Sequence, residues 1–133
     1  MRIALQIQRM IDNKPFADAH KPIESLSIAP SQALEWATIN GAQMMGMEHK
    51  IGSLTPGKQA DIILIRSDDL NLRPVNDPVN AVVFYANASN IDSVYIAGEL
   101  KKKNGHLIYA NLSTIMEKLE ISGARILANS NAA

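Results

Sequence analysis

Three histidines, His20, His49 and His106, are the side chains of this sequence best suited to metal binding or acid–base chemistry. They stand far apart along the chain. A zinc site takes three or four protein ligands, so one imidazole alone rarely forms a metal site. We therefore expect His20 to be a solvated loop residue and His106 to be an exposed strand residue beside a turn.

Two acidic groups and one basic run offer other chemistry. Asp68 and Asp69 are adjacent, but no neighbouring histidine or apolar pocket accompanies them, which favours a solvated turn over a catalytic pair. Asp77 precedes Pro78, and we expect its carboxylate to accept hydrogen bonds from the amides of its own turn. The run Lys101–Lys103 could bind phosphate, but an exposed strand edge protected from aggregation is the favoured interpretation.

The composition is that of one ordinary globular domain. The chain has 133 residues, of which 47% are hydrophobic and 20% charged. Thirteen acidic and thirteen basic residues cancel, so no net field attracts nucleic acid or an anionic membrane. Cysteine is absent, which excludes disulfides and is compatible with a reducing, cytoplasmic location. No apolar run approaches the ~20 residues of a membrane span, and the amphipathic start does not resemble a signal peptide.

The first fifty residues are predicted to be helical. Aliphatic residues recur at helical spacing from Ile3 to Ile11, so the first helix has one apolar face that needs a partner surface. The run 12–15, which ends in Pro15, predicts the end of that helix and a loop up to Ala29. Pro30 is a favourable first-turn residue, and a second helix is predicted from there through Met45.

The following sixty residues carry β signals. A Pro56–Gly57 type II turn leads into Ile62–Ile65, which reads as a short buried strand. Ala81–Tyr85 is predicted to be a second strand. Hairpins are predicted from residue 93 to residue 108, because Asn104–Gly105 is a strong hairpin turn signal.

A C-terminal helix capped by Asn111 is predicted next. Its apolar face would consist of Leu112, Ile115, Met116, Leu119, Ile126 and Leu127. The tail 129–133 is expected to be frayed.

Several segments together resemble the metal-dependent amidohydrolase superfamily, in the subgroup of cytosine, guanine and adenosine-type deaminases and triazine hydrolases. The run Gly52–Ile65 is similar to its G-x-L-x-P-G-K-x-A-D-hydrophobic segment, and Ala37–Ala42 to its A-T-x-N-G-A helix. Asn71–Val79 and Val94–Leu100 match the next landmarks in order and spacing. Met1–Leu5 is similar to the helix after the last barrel strand, so the resemblance extends from Met1 to about residue 128.

The resemblance implies a fold that is only partly contained in this chain. We expect an α+β piece: the last helices of a TIM-barrel amidohydrolase plus the C-terminal part of its composite β-sandwich, without the barrel, which takes roughly 250 residues. Residues 1–50 would be the helical end of the barrel, 51–110 the β-rich part of the sandwich, and 111–133 a C-terminal helix and tail.

The same resemblance implies that the catalytic site lies elsewhere. The family binds its metal through a His-x-His pair, further histidines and an aspartate that would lie just before Met1; the metal lowers the pKa of a bound water. No His-x-His occurs here. We therefore predict no catalytic, cofactor-binding or metal-ligating residue in this chain, and expect zinc or iron in the full-length enzyme.

Two functions remain open. The first is a C-terminal, structural fragment of an amidohydrolase that deaminates or dechlorinates a heterocycle, with the missing barrel and sandwich strands as its partner. The second is a stand-alone, non-enzymatic module for oligomerisation or partner binding, by homo-oligomers or strand exchange. A small hydrolase using His20, His49 or His106 has no supporting motif. The substrate, and whether Met1 is a true start, a boundary, a cleavage product or a truncated frame, stay undetermined by the residues.

Overall fold

The computed structural model describes residues 1–130. Helix α1 spans Arg2–Asp18 and therefore continues past Pro15, where the sequence predicted its end. One further turn forms because the Ala19 amide still donates to the Pro15 carbonyl at 3.1 Å. On the same turn, Lys14 forms an i,i+4 ion pair with Asp18 at 2.8 Å. The prediction that 12–15 ends the helix was wrong, and the loop begins after residue 18.

The second predicted helix is two helices. Helix α2, Pro30–Ala37, begins at the predicted proline, and helix α3 spans Ile39–Met44. Thr38 separates them with φ −124° and ψ −94°, outside the helical region. Its hydroxyl donates to the Leu34 carbonyl at 2.8 Å, which gives the backbone an alternative to helical bonding.

The loop of residues 45–61 joins α3 to the first strand. The Gln59 amide donates to the Lys50 carbonyl at 2.8 Å, which closes the loop on itself. Gly57 has φ +91°, as the second corner of a type II turn requires, so the Pro56–Gly57 turn is confirmed. Strand β1 spans the predicted residues Ile62–Ile65, but Ile63 and Leu64 are exposed, so it is not buried within this chain.

Four antiparallel strands form one sheet in the order β1-β2-β3-β4. The three later strands are β2, Ile91–Ile96; β3, Glu99–Lys103; and β4, His106–Leu107. Tyr95 is the partner of Ile62 on one side and of Leu100 on the other. The Asn104–Gly105 turn is confirmed, with both residues at positive φ.

The segment Ala81–Tyr85, predicted to be a strand, is a π-helical segment instead. It continues a short helix α4, Pro78–Asn80, and is followed by a 3₁₀ turn, Ala88–Asn90. The Asp77 carboxylate accepts from the Asn80 amide at 2.9 Å and so caps the helix start. Helix initiation at Asp77 and Pro78 overrides the strand preference of the valines that follow.

A small core lies where α1, α2 and the π-helical segment meet. Leu5, Ala33 and Val83 are almost fully buried and pack together. At its edge, the Arg9 guanidinium lies 5.8 Å from the centre of the Phe84 ring and donates to the Ile28 carbonyl. Partly buried hydrophobic residues surround this cluster: Ile28, Leu34, Trp36, Val79 and Phe84.

Helix α5, Leu112–Ser130, has no buried residue. The Ile115 amide donates to the Asn111 carbonyl at 3.1 Å at the start of the helix, where the sequence predicted it. The helix includes residues 129 and 130 of the tail predicted to fray, while residues 131–133 lie outside the described residues. None of the helices within residues 1–130 has both the length and the apolar character needed to cross a membrane.

Gly52 provides a test of how tightly this fold is closed. Its φ is +90°, and a Cβ added there would lie 2.7 Å from the Ala42 Cβ and 3.1 Å from the Ile39 Cα. We expect Gly52→Ala to lower the free energy of unfolding by about 2–4 kcal/mol through clash and backbone strain together. Urea denaturation of both variants measures this. The matched control Gly57→Ala, at φ +91° but in open space, should cost only about 1–2 kcal/mol; equal losses would contradict the close contact.

Candidate functional site

The three histidines are not brought together to form a site. His20 follows α1 at φ +51° and is exposed, His49 lies in an exposed turn, and His106 is exposed in β4. Over residues 1–130, no group of three or more histidine, cysteine or acidic side chains could hold a metal ion. The described residues therefore do not fit the zinc or iron that the resemblance implies for a complete enzyme.

The conspicuous motif acids have structural roles. Asp61, from the Gly52–Ile65 motif, accepts a hydrogen bond from the Ala97 amide at 2.6 Å. This bond fixes the turn between β2 and β3 to the start of β1. Asp77 caps α4, as the sequence predicted. Lys102, in the basic run, donates to the Ala88 carbonyl at 3.4 Å. The contacts of Asp61 and Lys102 connect separate segments of the fold, whereas that of Asp77 is local to its own helix.

Asp69 belongs to a hydrogen-bonded network centred on Asn90, which is 1% exposed. The Asn90 amide nitrogen donates to Asp69 Oδ2 at 2.7 Å and to Asn71 Oδ1 at 2.9 Å. Its oxygen accepts from Asn71 Nδ2 at 3.0 Å and from the Asn87 amide at 2.9 Å. Both ends of this buried amide are therefore satisfied, which removes the cost of burying it.

Charged side chains surround the outer side of this network. Arg66 donates through Nη2 to the Ser89 carbonyl at 2.6 Å, and its guanidinium lies 3.4 Å from Asp69 and 3.8 Å from Asp92. The hydrogen bond from Asn90 lowers the pKa of Asp69 below its ordinary value; desolvation opposes this shift, and the positive charge of Arg66 adds to it. Asp69 is thus held as a carboxylate that connects Asn90 with Arg66.

Sequence reasoning did not single out Asn90, and it treated Asp68 and Asp69 as one solvated pair. The structure separates them, because Asp69 enters the network while Asp68 is exposed. A signal was present in the run Asn87–Asn90, since asparagine and serine clusters bond to nearby backbone and form turns. The partner residues 66–71 are about twenty positions away, and no local pattern predicts that pairing.

A large apolar groove lies beside β1, and we call it the β1 groove. Its volume is about 680 Å³. It is lined by the β1 residues Ile62, Ile63 and Ile65 and by side chains of the neighbouring elements, among them Leu34, Ile51, Leu54, Val82 and Ile91. The mostly aliphatic walls can bury apolar partner residues. Thr38, Ser53 and Asp61 also line the groove, but no histidine, lysine or arginine among its described lining residues joins them in a catalytic set.

Helix α1 presents its faces in an unusual way. It packs on the rest of the chain through Leu5, Gln8, Arg9 and Asp12, while Ile3 and Met10 are 69% and 67% exposed. Ile7 and Ile11 are exposed on the same helix. An amphipathic helix normally buries its aliphatic stripe. The outward stripe of α1 therefore lacks a partner within the described residues.

Comparison with known proteins identifies the family. The model of the amidohydrolase family matches residues 1–101. This chain belongs to the amidohydrolase family. A 5-methylthioadenosine/S-adenosylhomocysteine deaminase of Teredinibacter turnerae is 40% identical over 103 residues, covering 72% of this chain and 23% of that protein. The deaminase of the same name from Acetivibrio thermocellus is 46% identical over 80 residues. This match covers 60% of this chain and 19% of the Acetivibrio protein.

Solved amidohydrolase-like structures share the fold. An adenosine deaminase of Xanthomonas campestris with bound zinc matches 94% of this chain and 28% of its own, at a TM-score of 0.73 and 23% identity. An atrazine chlorohydrolase of Arthrobacter aurescens complexed with zinc matches 68% of this chain and 20% of its own, at a TM-score of 0.61 and 24% identity. This amidohydrolase chain thus spans only 19% to 28% of the length of these four proteins.

In this amidohydrolase chain, the hydrogen-bonded network around Asn90 and Asp69 predicts how the free energy of unfolding changes at acid pH. Because the pKa of Asp69 is lower in the folded than in the unfolded chain, its contribution to stability is present above about pH 3.9 and is lost as pH falls through the folded pKa. We expect Asp69→Asn to abolish that component, so that stability falls less steeply below about pH 4. Urea unfolding over roughly pH 2.5 to 6 measures how the free energy of unfolding of both proteins depends on pH.

The neighbouring acid supplies the control for this measurement. Asp68 is exposed, and Asp68→Asn should keep the acid slope of the wild type. Identical slopes for the wild type and Asp69→Asn would contradict a stabilised Asp69 carboxylate. Parallel flattening in both variants would instead indicate a general charge effect.

Proposed function

We propose that this chain is the C-terminal, structural portion of a metal-dependent deaminase and closes its catalytic barrel without supplying catalytic residues. The observation that carries the proposal is the outward aliphatic stripe of α1, at Ile3, Ile7, Met10 and Ile11. The resemblance assigns this helix to the end of the barrel. There, the stripe would pack against the neighbouring strands and helices of the barrel.

The exposed surface of the chain supports this proposal. The accessible surface is 10114 Å². A compact monomer of 14.5 kDa exposes about 6,900 Å², so roughly 3,200 Å² more is uncovered here. Standard protein interfaces cover about 800 Å² on each partner. An excess of this size fits a piece of a larger folded body.

The β1 groove and the free edge of β1 suggest where the missing sandwich strands would pair. Within residues 1–130, β1 is the first strand of the sheet and pairs only with β2. An unpaired edge next to an apolar groove favours the addition of a strand. In the complete enzyme, we expect the N-terminal strands of the composite sandwich to extend the sheet there and fill the groove.

The relatives favour deamination of an adenosine derivative over dechlorination. The deaminases of T. turnerae and A. thermocellus are 40% and 46% identical to this chain. The atrazine chlorohydrolase is 24% identical, a level that supports the fold alone. The zinc ligands and the substrate pocket would lie in the remainder of the enzyme, and a metal held there would supply the activation of water that hydrolytic deamination needs.

A stand-alone module remains the second candidate, because the same exposed faces would allow self-association. For the isolated chain, we predict a dimer or larger assembly that covers the α1 stripe or pairs the β1 edge. Static light scattering at micromolar and submicromolar concentrations measures this state. The variant Ile7→Glu should shift it toward monomer while the exposed control Gln6→Glu does not. A monodisperse wild-type monomer throughout would contradict self-association.

A fusion enzyme tests the leading proposal. The segment of the T. turnerae deaminase that aligns with this chain is replaced by residues 1–133, joined ahead of α1. We expect the fusion to release ammonia from 5-methylthioadenosine and to bind about one zinc ion per chain, because its barrel regains its closing helix. The isolated chain should bind no stoichiometric zinc. Ammonia release and metal content by mass spectrometry are the measurements.

Three results bear on the structural-closure proposal. In the fusion, Ile7→Glu should lower activity at least about tenfold by placing a charge against the barrel, whereas Gln6→Glu should leave it unchanged. A fusion that is folded and monodisperse but lacks both zinc and activity would count against the structural-closure proposal. Tight zinc binding at one ion per isolated chain would likewise contradict it.

A further inference from the structure

Helix α5 is the part of the molecule that the family match leaves unexplained. The family model ends at residue 101, whereas α5 spans Leu112–Ser130. None of its residues is buried. In proteins, most helical stability comes from packing of an apolar face and not from helix propensity. Residues 1–111 leave most of α5 uncovered, with only Leu112, Ser122 and Gly123 half-buried, which points to a partner surface outside them.

Most of the large apolar side chains of α5 form one stripe, which we call the α5 stripe, while Ile121 lies on the opposite face and is 64% exposed. Leu112, Leu119 and Ile126 recur every seven residues, with Ile115 between the first two and Met116 beside them on one flank. Leu119 and Ile126 are 63% and 62% exposed. A repeat of seven residues keeps these side chains on one face over the length of the helix. The stripe is thus continuous enough to bind along another helix or in a groove.

The charges beside the stripe argue against pairing with a second copy. Lys118 and Arg125 precede Leu119 and Ile126 and flank the stripe on one side, while Met116 and Gly123 flank it on the other. In a symmetric pair of α5 helices, parallel or antiparallel, the two basic residues would meet no acidic counterpart on the partner flank. The stripe is therefore poorly suited to bind its own copy.

The structural match points to a partner within the same enzyme. The zinc-bound adenosine deaminase matches 94% of this chain, a share that requires most of α5. In that protein the matched region is 28% of a single chain, so the other 72% is available to cover the equivalent helix. The uncovered surface of about 3,200 Å² is large enough for such a contact in addition to the α1 stripe.

We propose that α5 is a clasp, whose stripe docks on the N-terminal part of the same amidohydrolase and holds the C-terminal portion to it. This inference rests on the proposed function but concerns a different surface from the α1 stripe and the β1 groove. The partner is an apolar surface of the catalytic portion, with acidic groups favoured opposite Lys118 and Arg125. The clasp adds stability and contributes no chemistry.

Hydrogen exchange on two proteins, the fusion enzyme and the isolated 133-residue chain, tests the clasp. We expect the α5 amides to exchange quickly in the isolated chain and at least about tenfold more slowly in the fusion, because docking suppresses local opening. The double variant Leu119→Gln/Ile126→Gln should remove this protection and lower the melting temperature of the fusion. In the isolated chain, it should change neither the melting temperature nor the oligomeric state.

A matched double variant on the opposite face controls for helix propensity. Glu117→Gln/Ala124→Gln has the same seven-residue spacing and should leave α5 protection in the fusion intact. Equal α5 exchange in the fusion and the isolated chain, or equal effects of the two doubles, would overturn the clasp. So would an isolated chain that dissociates only with the stripe double, because a second copy would then be the occupant. These readouts need no activity, so an inactive fusion counts against the proposed function separately.

Discussion

The buried amide of Asn90 is the interaction on which the arrangement of this chain depends. It lies between the 3₁₀ turn and β2, and it bonds at both ends to segments that come from other parts of the chain. Asn71 carries the connection onward by donating to the Tyr85 carbonyl at 3.0 Å, at the end of the π-helical segment. Arg66, which follows β1, completes the network by donating to the Ser89 carbonyl at 2.6 Å. A polar junction, more than the small apolar core, therefore sets how sheet and helices meet.

The second constraint is that the chain buries few apolar side chains in its core and exposes many on its surface. The core formed by Leu5, Ala33 and Val83 is small, while aliphatic stripes on α1 and α5 and the walls of the β1 groove face outward. Exposed apolar surface on this scale is uncommon on monomeric proteins and typically marks an interaction surface. The proposed role as one portion of a larger amidohydrolase would account for such surfaces on a chain whose residues 1–130 contain no metal-binding cluster.

Local chemistry explains which elements were predictable. The turns at Pro56–Gly57 and Asn104–Gly105, the helix start at Pro30 and the strand Ile62–Ile65 each follow from residues within a few positions. Ala81–Tyr85 was misjudged because its strand preference yields to the helix start just before it. Pro15 was misjudged because the helix beyond it keeps its own hydrogen bonds and an ion pair.

The sequence by itself determined the family, through motifs whose order along the chain is readable without coordinates. It also determined that the histidines stand too far apart along the chain to follow a ligand motif. Only the tertiary structure decided which face of α1 is covered, because a helical stripe predicts that a partner exists but not where it lies. It also decided the role of Asn90, whose partners Asp69 and Asn71 are set by folding across about twenty residues and not by any local preference.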